Sequence, residues 1–338
     1  MNRRYKASLA LLVSCAALLA AFAGSARAAL PPTTASLYSG TSLETLIASS
    51  SSIDSGLVAA SGELSGETVK AATVHFAPEE GKVAANRARM VALATEAGEG
   101  GAKLIVLPEM ATSGYSFFSR SEMSTVAETV PGPSTEAIGA VADSFDAYIA
   151  FGMPEYEPRK NLYFNVAVLM GPEGEVVGTY RKRNHLLESS YNASSFERMP
   201  VFETPYGKLG LVICSDIFYP QFGRSAAVAG ATILLAPANV YFESSTARVR
   251  TYENDFSMIV ANRYGVGSSG KKPESFTQDS FTIASPYQYE WEYGNQSMIM
   301  TEAGELLVEL TKPEDAVGYA ELPVRASRTF PVERKPSL

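Results

Sequence analysis

The chain has 338 residues, 46% hydrophobic and 19% charged, the balance of a folded globular protein, which sets aside disordered and fibrous classes. A formal net charge of −8 repels phosphate backbones and anionic lipid heads, so nucleic acid is excluded as a main partner. Two histidines cannot build a three-histidine zinc site, and no glycine-rich phosphate loop or paired CxxC occurs, so neither metal nor cofactor is expected.

The first 28 residues read as an export signal. Arg3, Arg4 and Lys6 precede an apolar run from Ala7 to about Ala23, and Ser25-Ala26-Arg27-Ala28 offers the small-x-small pattern for cleavage before Ala29. One alternative is an uncleaved anchor, for which about 17 apolar residues is the short limit. A lipoprotein site at Cys15 is opposed by the apolar run continuing past it. Loss of the signal leaves 24 basic against 36 acidic residues, a net of −12, and makes Cys214 the lone thiol in an oxidising compartment. A lone thiol there is either inert packing or reactive.

Residues 29–67 read as an irregular arm or linker, carrying the run Ser49 to Ser52 and one short helix over Ser42 to Ala48. The main domain is expected over 68–325, with a tail at 326–338. Val69 to His75 reads as a strand. Val83, Met90, Val91, Ala94 and Ala97 share one helical face, closed by Gly98, Gly100 and Gly101. Leu104 to Leu107 is a continuous apolar strand, buried on both faces, that stops at Pro108-Glu109. A helix follows over Ser134–Phe145, then strands Tyr148–Met153 and Val166–Met170. Gly171-Pro172-Glu173-Gly174 turns the chain into strand Val176–Tyr180. Pro205-Tyr206-Gly207 turns into strand Leu209–Ile213, which stops at Cys214. The remaining pattern is a helical stretch to about Gly230, strand Thr232–Leu235, helix Thr246–Phe256 and strand Met258–Ala261. The last elements are Phe281–Ala284, the hairpin Ser297–Met300 with Leu306–Leu310, and Gly318–Leu322. Strands alternating with helices and hairpins mean a mixed sheet covered by helices, an α/β protein.

Three polar residues stand just past buried strands: Glu109, Lys182 and Cys214. In sheets covered by helices, such positions line the ligand crevice. A carboxylate, an ammonium and a thiol at one sheet edge would supply a base, an electrostatic clamp and a nucleophile. Singly, each has a plain structural reading: solvated carboxylate, surface lysine between Arg181 and Arg183, packed cysteine. The conjunction carries the argument. His75, at the end of the first strand, is read as a core or rim residue, and His185 as structural or lining a pocket.

At these residues the chain resembles the nitrilase superfamily of carbon–nitrogen hydrolases. Leu107-Pro108-Glu109 followed by Ser113-Gly114-Tyr115 is similar to the family's glutamate motif, and Tyr180-Arg181-Lys182 with His185-Leu186 to its lysine motif. Gly210 to Asp216 is similar to its nucleophile elbow, and Arg250, Glu253-Asn254 and Ala261-Asn262-Arg263 to the stretch beyond it. Lys182-Arg183-Asn184, Leu187-Glu188, Tyr191-Asn192 and Cys214 to Phe218 look like the vanin/biotinidase branch of exported amidases. The chain departs from that branch in its cysteine count, its lack of a long C-terminal extension, and Ser215 where an aromatic residue is usual.

The resemblance implies a four-layer α-β-β-α sandwich that pairs through a helical face, hence a homodimer or larger homo-oligomer. It implies Glu109 as general base, Lys182 as the cation that stabilises the intermediate, Cys214 as nucleophile, and Glu188 as a second glutamate, with Glu197 as its fallback. The Ser215 N–H is implied as an oxyanion donor and Asp216 as a support of the elbow. Tyr115, Asn239 and Tyr241 are candidates for the substrate wall. The expected reaction cleaves a non-peptide C–N bond of a small amide through a thioester. A nitrile, through a thioimidate, would use the same residues. An acyltransferase on the same thioester and a catalytically silent binding protein are the rival readings.

Overall fold

The computed structural model describes residues 64–117, 119–185, 192–193, 198–239, 244–268, 276–278, 281–283, 290–292 and 296–325. The signal and most of the arm therefore lie outside the described residues, as do Glu188, Glu197, Tyr241 and the tail. Strand β1 begins at Leu64, so the last four residues assigned to the irregular arm are strand instead, joined through a bulge between Leu64 and Thr68.

In chain order the elements are β1 (Leu64–His75), α1 (Val83–Glu99), β2 (Leu104–Val106), α2 (Arg120–Met123), α3 (Pro133–Phe145), β3 (Tyr148–Glu157), β4 (Leu162–Met170) and β5 (Val176–Arg181). Then come β6 (Val201–Thr204), β7 (Gly207–Leu211), a 3-10 turn (Cys214–Phe218), α4 (Pro220–Val228), β8 (Ile233–Pro237), α5 (Ser244–Asn254) and β9 (Ser257–Ala261). Short strands β10 (Val266–Ser268), β11 (Phe276–Gln278), β12 (Phe281–Ile283) and β13 (Glu290–Glu292) precede β14 (Ser297–Met300), β15 (Leu306–Leu310) and β16 (Ala316–Arg325).

Two six-stranded sheets form, in the orders β16-β1-β2-β3-β4-β5 and β15-β14-β9-β8-β7-β6. Each has three parallel strands at its centre, with antiparallel neighbours outside. Such a centre must be buried on both faces, and β2 shows how the sequence meets that demand. Leu104 and Val106 join Leu209, Leu211 and Val260 in the core between the sheets, while Ile105 and Leu107 pack with Met90, Ala94 and Ile138 of α1 and α3. Each fully buried side chain of this kind stabilises the fold by about 1.5–3 kcal/mol. The Thr73 hydroxyl donates to Val260 O at 2.7 Å, tying one sheet to the other. With α1 and α3 on one outer face and α4 and α5 on the other, the expected α-β-β-α sandwich is the observed fold.

Candidate active site

Sheet topology decides which strand ends meet. β5 is antiparallel to β4, and β4 to β3, so β5 runs with β2 and β3 and ends at the same sheet edge. Glu109 and Lys182 thus leave one sheet together. In the second sheet β7 and β8 are parallel, and their ends deliver Cys214 and Asn239.

Glu109 is fixed by the backbone around it. Gly152 N–H donates to Pro108 O at 3.0 Å, and its carbonyl accepts from Ala111 N–H at 2.8 Å. A Cβ on Gly152 would stand 2.5 Å from Glu109 Cα and 2.8 Å from Met110 N, so only glycine allows this approach. Gly152→Ala is therefore expected to destabilise the fold by about 1–3 kcal/mol, and to lower kcat at least about tenfold by displacing Glu109. Urea denaturation and steady-state kinetics measure both, and a variant with parental kcat would show that the segment has slack.

The Glu109 and Lys182 side chains are fully buried and paired, Nζ to Oε1 at 2.8 Å. Asn165 Nδ2 donates to the same oxygen at 2.6 Å, and Lys182 N–H donates to Asn165 O at 2.8 Å. The Tyr115 ring lies 5.7 Å from Lys182 Nζ and is 5% exposed. Cys214 is 1% exposed, with the Glu109 carboxylate, the Lys182 ammonium and the Asn239 N–H all acting on its thiol. The expected trio from distant parts of the chain is one cluster.

Cys214 follows extended Ile213 and takes φ 49°, the left-handed region that costs a non-glycine residue on the order of 1–3 kcal/mol. The strand β7 ends at Leu211, two residues before the expected end, and the 3-10 turn starts at the cysteine itself. Arg250 secures the far end of that turn, Nε to Ile217 O at 2.8 Å and Nη2 to Phe218 O at 3.1 Å.

Burial pushes the Cys214 thiol well above its ordinary value, and Glu109 adds to the rise; Lys182 and the Asn239 N–H oppose it without cancelling it. The resting sulfur is therefore a thiol beside a carboxylate.

Asp216 stitches the lysine segment to the elbow. Tyr180 Oη donates to its Oδ2 at 2.7 Å and Asn184 N–H to its Oδ1 at 2.8 Å, two residues on either side of Lys182. Ser215 Oγ adds a third link, donating to Asn184 O at 2.6 Å. Burial raises the Asp216 carboxyl to about 6, against pulls downward from Tyr180, Lys182 and the N–H groups of Asn184 and Ile213. Below that pH the folded protein holds a proton on Asp216, and an O–H then faces a donor. The expected result is a kcat that falls as pH drops through about 6. Asp216→Asn, with an N–H2 facing a donor at every pH, should lose about 10- to 100-fold in kcat at pH 8 and lose that limb. An unchanged limb in the variant would assign it to another group.

Asn165, Tyr180 and Gly152 were not singled out from sequence as site residues. A lone Asn in the apolar run Leu162 to Met170 was the available signal for the first, since a buried polar side chain needs a reason. His75 is a core residue, Nδ1 at 2.8 Å from Ser297 Oγ, with its pKa lowered by burial.

Over residues 70–331 the sequence matches the family model "Carbon-nitrogen hydrolase". It is 29% identical over 259 residues to a protein named "Nitrilase" from Pyrococcus abyssi, covering 75% of this chain and 89% of that one. A formamidase of Bacillus cereus is 33% identical over 145 residues, 42% of each chain. Among solved structures, Nit3 of Saccharomyces cerevisiae, described as a member of the nitrilase superfamily, matches with a TM-score of 0.62 at 21% identity, over 76% of this chain and 90% of that one. An amidase from Nesterenkonia sp. matches with a TM-score of 0.59 at 20% identity, over 76% and 91%. At these identities the structural likeness carries the fold alone.

Proposed function

The chain belongs to the carbon–nitrogen hydrolase family, and on that footing we propose that it is an exported thiol amidohydrolase acting on small amides through a thioester on Cys214. The observation that carries this reading is the fully buried Glu109–Lys182 ion pair, with the buried Cys214 thiol under the charge of both. Fully buried ionic groups beside a thiol are expensive to keep for packing alone, and perturbed groups of this kind mark reaction sites.

Glu109 takes the thiol proton as the sulfur attacks the amide carbonyl, so no free thiolate is needed at rest. The developing oxyanion lies between the Lys182 ammonium and the Ser215 N–H, which stands in the first turn of a 3-10 segment where no intrahelical acceptor exists. A donor of this kind contributes roughly 3–4 kcal/mol to the transition state. Glu109 returns its proton to the leaving nitrogen, and ammonia or an amine departs. Water, activated by Glu109, then cleaves the thioester. Tyr115 and Asn239 form the substrate wall.

The names of the relatives support both amide and nitrile chemistry, since they include an amidase, a formamidase and a nitrilase. The same set of residues would carry a nitrile through a thioimidate. The vanin/biotinidase likeness rests on the lysine and elbow segments alone. Intact-mass spectrometry after mixing with a panel of amides and nitriles tests the proposal. An acyl adduct on Cys214 from amides is the expected outcome, and no adduct from any probe would remove it. Adding amine acceptors separates hydrolysis from acyl transfer.

Export rests on the basic start, apolar run and Ser25-Ala26-Arg27-Ala28 of the sequence; N-terminal sequencing of the exported protein should begin at Ala29. A homodimer is supported by the large apolar side chains that α4, α5 and the turn before them leave exposed: Phe218, Tyr219, Val228, Val249 and Tyr252, the last 75% exposed. Sedimentation should give a dimer that Tyr252→Glu weakens.

A further inference from the structure

One peptide group lies between base and nucleophile. The carbonyl of Ala238 accepts from Glu109 N–H at 3.4 Å, and the N–H of Asn239, the other end of the same peptide, acts on the Cys214 thiol and favours its charged form. The side chain of Asn239 leaves from the atom next to that N–H. It is fully buried, yet among the described residues neither its Oδ1 nor its Nδ2 has a hydrogen-bond partner. Native interiors seldom leave a donor and an acceptor of one side chain both unmade, because each forfeits its bonds to water. Asn86 shows the usual outcome in this fold: its Oδ1 accepts from Glu79 N–H at 2.8 Å and its Nδ2 donates to Glu79 O at 2.7 Å.

We propose that the Asn239 carboxamide is completed by the substrate, pairing with an N–H and a C=O carried on the acyl side near the scissile carbonyl. The assignment rests on the amidohydrolase reading and narrows it to a substrate class. The scissile oxygen is taken by Lys182 and the Ser215 N–H, and the departing nitrogen by Glu109. What stays on the sulfur after the amine has left is the acyl group, and Asn239 follows the strand paired in parallel with the one that leads to that sulfur. A side chain with one donor and one acceptor is complementary to a second carboxamide-like group. Small diamides are thus preferred over plain aliphatic amides of equal length.

The test compares malonamide and succinamide with propionamide and butyramide, using the full chain and its Asn239→Leu variant, which keeps the side-chain volume without polar atoms. The parent should favour the diamides by at least about tenfold in kcat/KM, since a site built for a polar group rejects the analogue that leaves it unpaired. In Asn239→Leu that ratio should collapse toward one. Thermal unfolding of the free variant supplies an independent reading. Removing two unpaired buried polar atoms should raise Tm, whereas a side chain serving only the fold would give a lower Tm on replacement. An unchanged diamide preference in the variant overturns the proposal even if the enzyme works. Failure of every amide, with no adduct on Cys214, instead overturns the amidohydrolase reading beneath it.

Discussion

Cys214→Ala is expected to lower kcat by at least roughly 10⁴-fold, the scale of losing a nucleophile whose partners act as a unit with it. The same change should move the free energy of unfolding by no more than about 1 kcal/mol. The substitution keeps a Cβ on the left-handed backbone at φ 49°, so the strain of the elbow is neither relieved nor increased. It removes one buried sulfur atom and no charge. The Lys182–Glu109 pair and the Asn165 bond remain in place on Glu109 Oε1. Steady-state kinetics on the best amide from the mass-spectrometric panel, with chemical denaturation beside it, measure both quantities. Activity within tenfold of the parent would remove the sulfur from the mechanism. A large loss of stability would make it a packing residue.

Lys182→Met should behave differently, because its ammonium serves the fold and the transition state at once. Removing it takes the buried cation away from Glu109, and an uncompensated buried charge costs about 3–5 kcal/mol. The lost oxyanion donor should lower kcat by about 10²–10³-fold with a much smaller change in KM. The two effects separate in the double variant Lys182→Met with Glu109→Gln. A neutral pair no longer strands a charge, so stability should return toward the parent, while turnover falls further because the base is gone too. Recovery of activity along with stability would mean that Lys182 acts only by holding the fold. A loss confined to KM would mean that it binds substrate and does nothing further for the barrier.

Much of the fold was legible because strand burial writes itself into sequence. Leu104 to Leu107 reads as apolar on both faces, and β2 is buried on both faces. The hairpin Ser297–Met300 with Leu306–Leu310 has its expected bounds, and Gly174, at φ 75°, sits in the turn that its sequence announced. Strand β6 escaped notice: Val201 to Thr204 is a half-exposed edge strand of four residues whose pairing with β7 supplies what its pattern lacks. The four-residue helix α2 and the three-residue strands β10, β11 and β13 are likewise too short for a period to show, whereas β12 lies within the expected strand Phe281–Ala284. Glu188, Glu197 and Tyr241 fall outside the described residues.

By itself the sequence determined which chemistries the chain carries and where they stand along it. Carboxylate, ammonium and thiol each follow a strand, buried ahead of Glu109 and Cys214 and mostly half-buried ahead of Lys182, and hydrophobic pattern and turn chemistry are local properties. The tertiary structure alone decided that Glu109 and Lys182 touch, that Cys214 joins them from a different sheet, and that Asp216 clamps both sides of Lys182. It also decided the proton on the sulfur. Distances and desolvation depend on groups more than thirty residues apart, brought together by the packing of two sheets, and no local pattern encodes them.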